Sequence, residues 1–482
     1  MRLEQPDGFG ESHALTPAPT LQAPFRCRVH QLTPSATMTP VMNSRPLPIV
    51  LVLLLGTLMT TVAPCPAHAQ EARRRFEMMR RIRLDKFALV LPQAMRENGI
   101  DMWIVAMKQN HPDPLWEDLG GGFIGATGYF VFTDRGDRIE KAVFDIDGFG
   151  LEGPGGYDLV NLETDLKAFV KERDPKRIGL NMSDDIGAAD GLSYTQHQAL
   201  VKMLGESYAS RFVSAEKLVS DFRSRRVATE IVAFGEGAQH ARELAERALS
   251  NEVITPGRTT LEDVAWWMED RLLERGLGTS FGMPSVYRSG PEGIIATSDG
   301  TIIRPGMLLH IDWGVCLMNL CGDMKRTAYV LKGDESTPPP GIQVAWDQAL
   351  KVREVIRRTV RPGVRAVDML ETLNRTVQAA GFSLMKEFNK PSATPATEVI
   401  IGCHSTGNTG HGSGPSMAAW QPTQSTYALR PSNMIAFEFF AWTPAPEWGG
   451  KKVRIPLEDD AIITDRGVEW LAPVNERILL IK

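Results

Sequence analysis

Five side chains in the last third of the chain restrict its fold more than anything else in the sequence. Asp312, Asp323, His404, Glu438 and Glu458 each stand among apolar or small residues. Four carboxylates and an imidazole gathered inside a fold need cations to neutralise them, because an unpaired buried charge costs several kcal/mol or is forced to change its protonation state. The pattern therefore predicts a metal site.

His310-Ile311-Asp312-Trp313-Gly314-Val315 reads as a strand, and Asn319-Leu320-Cys321-Gly322-Asp323-Met324 follows a turn over Leu317 to Asn319. An antiparallel hairpin centred there sets Asp312 and Asp323 on neighbouring cross-strand rungs. Met434 to Trp442 is expected as one strand whose single charge is Glu438, the alternative for that residue being a buried pair with an arginine. Glu458 opens the run Glu458-Asp459-Asp460 before a strand over Ala461 to Thr464, and by itself such a run reads as a solvated turn. Gly402 to Pro415 carries His404 and His411 in a glycine-rich stretch that lets backbone approach a ligand closely. Alone, that stretch is a surface loop with two ordinary histidines.

Together these segments resemble the pita-bread metallopeptidases, which include Xaa-Pro aminopeptidase, prolidase and methionine aminopeptidase, over about residues 215 to 482. His310 to Gly314 followed by Gly322-Asp323-Met324-Lys325-Arg326-Thr327 is similar to the family's paired-aspartate signature. His404-Ser405-Thr406-Gly407 with His411 is similar to its ligand histidine and the substrate-facing one after it. Glu438 and Glu458 match its two glutamates.

The resemblance implies an α/β (α+β) fold, with a creatinase-like N-terminal domain over 70–215 and a pseudo-twofold pita-bread catalytic domain over 216–482. It implies Asp312, Asp323, His404, Glu438 and Glu458 as ligands of two divalent ions, bridged by Asp323 and Glu458. Ligand hardness puts Mn²⁺ first, with Zn²⁺, Co²⁺ and Fe²⁺ as alternatives. The implied reaction is hydrolysis of Xaa-Pro or related peptide bonds by a metal-bridged hydroxide, with Glu438 helping to manage protons and His411 hydrogen-bonding the substrate. A homodimer is implied as well. A metal-free creatinase-like hydrolase and a non-catalytic binding protein are the alternatives on the same scaffold.

Three features depart from the family pattern. The stretch Gly293 to Asp299 has no counterpart of the family's upstream substrate-binding histidine, Phe439-Phe440 follows the first glutamate in place of Pro-Gly, and Arg454 stands ahead of Pro456-Leu457.

An internal repeat supports two similar halves. Thr255-Pro256-Gly257-Arg258-Thr259 leads into a helical pattern over Leu261 to Arg275 that stops at Gly276. Arg361-Pro362-Gly363-Val364-Arg365 leads into Val367 to Ala380, stopping at Gly381. Further upstream, Lys86 to Asn98 reads as a helix closed by Gly99, Met102 to Met107 as a buried strand and Arg177 to Leu180 as the start of another. Ser214 to Arg226 reads as a linker, and Val227 to Leu249 as a long helix.

At the N-terminus, Met42-Asn43-Ser44-Arg45, the apolar run Ile49 to Val62 and the small residues of Ala67-His68-Ala69 form a signal-peptide pattern. The run is short of the roughly 20 residues of a membrane span. Residues 1–69 are thus expected to be a leader, with Met38 or Met42 as alternative starts, no stable membrane span in the mature chain, and a secreted or periplasmic product beginning near Gln70. A net charge of -5 offers no basic surface for nucleic acid, and the resemblance implies a peptide substrate as the partner. Cys316, Cys321 and Cys403 are an odd number past the leader, expected as free, buried thiols rather than a disulfide framework or metal ligands.

Overall fold

A computed structural model describes residues 67–482 apart from 149–150, 152–155, 162–164, 408–410 and 421–423. Residues 1–66, with the apolar run of the expected leader, lie outside the described residues, as do Asn408, Thr409 and Gly410 of the glycine-rich stretch. The described part belongs to one compact unit, Pro66–Lys482.

Alternation in Met102–Lys108 explains how the first sheet is buried. Trp103, Val105 and Met107 point into one apolar core with Phe87, Leu91 and Phe222, while Met102, Ile104 and Ala106 point into another with Leu166, Phe169 and Leu200. A strand covered on both faces has no polar side to show, hence the continuous apolar run. It lies inside a six-stranded sheet in the order Leu159–Asn161, Ile139–Asp147, Phe123–Asp134, Met102–Lys108, Ile178–Leu180, Phe212–Ser214. The middle strands pair antiparallel and the outer ones add on in parallel.

Two expectations here need correction. The helix over Lys86 to Asn98 is two helices, Ala67–Leu89 and Leu91–Glu97, broken at Val90 because Pro92 stands in the first turn of the second. The linker over Ser214 to Arg226 contains the helix Glu216–Ser224, whose Leu218, Val219 and Phe222 are buried. Its charges outnumber its apolar residues, but the apolar ones fall on one helical stripe. Phe222 packs edge-on to Trp103 with ring centroids 5.8 Å apart. Just beyond it, Glu230 pairs with Arg226 and Lys86 in the interior.

From Ala228 the chain is built twice over from similar parts. The helices Ala228–Ala248 and Leu261–Arg275 accompany the first part, and Pro340–Thr359 and Ala366–Ala379 the second. Leu261–Arg275 begins with a reciprocal Thr260/Asp263 cap and ends at left-handed Gly276, as the repeat predicted. Among the described residues the first part carries a five-stranded sheet and a three-stranded one, and the second carries two four-stranded sheets. Extended segments run from one sheet into the other. Val315–Leu317 continues Leu308–Trp313 past Gly314, and Met434–Ala436 continues into Phe439–Pro444 past Phe437-Glu438. The single strand expected over Met434 to Trp442 is therefore two, in different sheets.

The cysteine expectation also changes. Leu317 pairs with Leu320 across a two-residue turn in which Met318 has φ +60°, so Cys316 lies directly opposite Cys321. The two form a disulfide with Cα atoms 4.0 Å apart, leaving Cys403 free and buried.

Phe222→Ala is expected to lower unfolding free energy in denaturant titration by about 3–5 kcal/mol, the cost of emptying an aromatic core position. A change within about 0.5 kcal/mol, as for an exposed linker residue, would contradict this packing.

Candidate metal centre and active site

Each expected ligand stands at or beside a place where the chain passes between sheets. Asp312 is next to last in Leu308–Trp313, and Asp323 precedes Met324–Val330. His404 opens His404–Ser405, Glu438 lies between Met434–Ala436 and Phe439–Pro444, and Glu458 between Lys452–Leu457 and Asp460–Thr464. Such interruptions break the regular alternation of side chains and re-aim them. Small residues are needed there: a Cβ on Gly314 would lie 1.8 Å from the Gly322 carbonyl oxygen, and one on Gly402 would lie 2.7 Å from Glu438 Oε2.

The structure brings all five residues together, with one difference in register. The partner of Asp312 is Lys325, not a residue next to Asp323. The two-residue turn at Met318-Asn319 fixes this, since its centre determines which residues face each other farther down the hairpin.

Lys325 is the functional residue that the sequence reading passed over. Buried in the cluster, its Nζ donates to Glu438 Oε1 at 2.6 Å and to Glu458 Oε2, and lies 3.1 Å from Asp312 Oδ2. A signal was present in period two: a lysine two residues after Asp323 on a strand shares its face. Glu438 thus has a basic partner, a lysine instead of the arginine considered above.

The remaining oxygens face His404. Its Nε2 is 3.8 Å from Glu438 Oε2, 3.7 Å from Glu458 Oε1 and 4.0 Å from Asp323 Oδ2. Nδ1 meets the Ser405 carbonyl at 3.3 Å, which assigns the ring proton to that side and leaves the Nε2 lone pair pointing at three acceptors. Asp323 Oδ1 and Glu458 Oε1 are buried without a hydrogen-bond partner among the described residues. Acceptors converging on acceptors are unfavourable until a cation lies between them, so these residues fit a divalent metal. An oxygen-rich set with one imidazole suits hard or borderline ions.

His411 stands at the edge of this cluster, its side chain 47 % exposed, with Nε2 3.3 Å from Asp323 Oδ2 and its ring 4.8 Å from that of His404. Its donor atoms fall with those of Asp323 and His404 within 4.8 Å of one another, close enough for it to join the ligands as well as meet a substrate.

Burial raises the Asp323 carboxyl well above the usual carboxylate range, reinforced by Glu458. Glu458 is raised in the same way, by burial and then by Glu438. Burial opposes the Lys325 ammonium, but Asp312, Glu438 and Glu458 outweigh it and hold its pKa well above the ordinary lysine value. Burial lowers His404, and burial with the neighbouring His404 pushes His411 down to about 4. Both imidazoles are neutral near pH 7, the form that binds metal.

The acidic run after Leu457 is not a solvated turn. Glu458, Asp459 and Asp460 are all buried, and each has a specific neighbour. Asp459 Oδ1 pairs with Arg326 at 2.8 Å and Asp460 Oδ1 accepts from the Asp323 backbone N–H at 3.1 Å, while burial pushes Asp460 up to about 8. On the other side, Arg454 donates to His310 Nε2 at 3.0 Å and stacks over Phe440 at 4.2 Å. Phe440, Trp420 and Phe388 form an aromatic wall with centroids 4.6 to 5.6 Å apart.

Carboxylates and an imidazole assembled in this way on twice-repeated halves fit a metal-dependent hydrolase. Residues 236–465, which include all five expected ligands and His411, match the model of metallopeptidase family M24, a family of hydrolytic peptidases. The fold is that of an X-Pro aminopeptidase from Thermotoga maritima, with a TM-score of 0.56 and 15% identity over 80% of this chain and 99% of that one. It is shared with an Xaa-Pro dipeptidase from Bacillus anthracis (TM-score 0.55, 17% identity, 85% of this chain and 99% of that one). A prolidase from Pyrococcus horikoshii is similar too (TM-score 0.52, 18% identity, 82% and 99%). No curated protein matches the chain by sequence.

Without metal, the raised carboxyls make stability depend on pH. Asp323, Glu458 and Asp460 hold protons more tightly folded than unfolded. Their contribution is complete below the unfolded carboxyl pKa of about 4 and is lost as pH rises through the folded values, about 8 for Asp460. The denaturation midpoint of chelator-treated protein is expected to fall between about pH 6.5 and about pH 8.5, a window above the histidine titrations. A flat or rising midpoint would contradict these protonation states.

Proposed function

We propose that the chain is an exported, metal-dependent exopeptidase that cleaves Xaa-Pro or related peptide bonds. The observation that carries this is the lone-pair cluster of His404 Nε2, Glu438 Oε2, Glu458 Oε1 and Asp323 Oδ2, which a divalent cation between them would satisfy. Asp312, Asp323, His404, Glu438 and Glu458 would hold divalent metal, Mn²⁺ first by ligand hardness. Bound metal supplies Lewis acidity for activating water and polarising the scissile carbonyl. Glu438 faces the same space and serves as proton acceptor. His411, neutral and half exposed, would hydrogen-bond the substrate carbonyl or the charge that develops on it.

Specificity for proline is supported by the Phe388–Trp420–Phe440 wall near Glu438, since aromatic surfaces receive the rigid, apolar prolyl ring well. It is supported too by the structural neighbours, an X-Pro aminopeptidase, an Xaa-Pro dipeptidase and a prolidase. Export is supported by the leader pattern and by the Cys316–Cys321 disulfide, which belongs in an oxidising compartment. Among the described residues no helix is long and apolar enough to cross a membrane. A homodimer is the assembly proposed, on the resemblance of the N-terminal region.

A metal-free hydrolase is the second reading, favoured by one observation: Lys325 by itself neutralises part of the carboxylate cluster. Protein beginning at Gln70, assayed on Xaa-Pro dipeptides and tripeptides with Mn²⁺ or with chelator, separates the two. Cleavage that chelator abolishes and Mn²⁺ restores is expected. Asp323→Ala should lose metal and activity together, whereas His411→Ala should keep metal and lose about 10²-fold in rate. Cleavage indifferent to chelator would favour the metal-free reading, and no cleavage of any Xaa-Pro peptide would end the proposed specificity.

A further inference from the structure

We infer that Lys325 is a built-in cation holding one of the two cation positions of the cluster, so that the chain takes up a single divalent ion, on the His404 side. The inference rests on the metal-dependent reading above and concerns how many ions that site accepts.

The oxygens of the two glutamates divide cleanly between two places. Glu438 Oε1 and Glu458 Oε2 turn to Lys325 Nζ, together with Asp312 Oδ2. Glu438 Oε2 and Glu458 Oε1 turn to His404 Nε2, together with Asp323 Oδ2. The first place is already satisfied by an ammonium with three carboxylate partners, while the orphaned acceptors Asp323 Oδ1 and Glu458 Oε1 both belong to carboxylates that face His404 Nε2. An ion at the first place would need glutamate oxygens that already accept from Lys325 Nζ.

Lys325 is also held where it is. Its side chain is 3 % exposed, its backbone N–H donates to the Glu458 carbonyl at 3.1 Å, and its ammonium lies 5.5 Å from the Phe440 ring. Strand pairing with Asp312 directs it into the cluster. A second divalent ion would have to enter beside a fixed positive charge in a dry site, where repulsion between like charges is weakly screened.

The test is metal stoichiometry, measured by elemental analysis and by Mn²⁺ titration calorimetry on the intact mature chain, for wild type, Lys325→Met and Lys325→Gln. Methionine keeps the stem and removes the charge, and glutamine adds a second neutral variant should methionine disturb folding. About one ion per chain in wild type and about two in either neutral variant are expected. Two ions in wild type, or the same count in wild type and both folded variants, would overturn the inference, and the wild-type count stands even if neither variant folds. Since the readout is ion count, loss of Xaa-Pro cleavage alone would overturn the proposed specificity and leave this result untouched.

Discussion

Desolvation of four carboxylates is the constraint around which the catalytic half is arranged. Asp312, Asp323, Glu438 and Glu458 come from segments that are otherwise apolar, and inside the fold the last three are buried and Asp312 partly so, away from the water that would stabilise them as anions. Lys325 offsets part of this by meeting three of them, and breaking a buried pair of this kind by removing one partner typically costs about 3–5 kcal/mol. The rest is left to protons on Asp323 and Glu458, or to a metal beside His404. Neutral imidazoles, raised carboxyls and orphaned oxygens are therefore consequences of a single shortage of positive charge.

The backbone meets that demand by interrupting strands where two sheets join. An unbroken strand would send successive side chains to opposite faces, and a lone carboxylate would end up in an apolar core. At Gly314, Gly322, Gly402, Phe437-Glu438 and Glu458-Asp459 the chain leaves one sheet for another, and the clustered carboxylates and His404 stand at or beside these junctions. Two similar halves each contribute such junctions. The disulfide Cys316–Cys321 closes the hairpin whose two arms carry Asp312 and Asp323, so it ties together the first two ligands through their backbone.

Much of this was legible in local pattern. The helices Leu261–Arg275 and Ala366–Ala379 could be read from their Pro-Gly lead-ins and terminal glycines, and Met102–Lys108 from an apolar run too long for an exposed strand. The five clustered residues could be picked out because each is a polar exception in an apolar setting. What escaped depended on partners distant in sequence or on register. Glu216–Ser224 looked like a linker because its charges mask an apolar stripe that only the Phe87–Trp103 core reveals. Glu458-Asp459-Asp460 looked solvated because Arg326 and the Asp323 backbone are far away in the chain. Lys325 was missed through a shift of one residue in the centre of the hairpin turn, which changes every facing pair.

The most direct test of the charge account is anomalous scattering from crystals of the mature protein grown with Mn²⁺. One manganese peak bonded to His404 Nε2 and the Glu438 and Glu458 carboxylates, with Lys325 Nζ still against Asp312, is the predicted result. Two peaks with Lys325 turned out of the cluster, or no peak at saturating Mn²⁺, would contradict it.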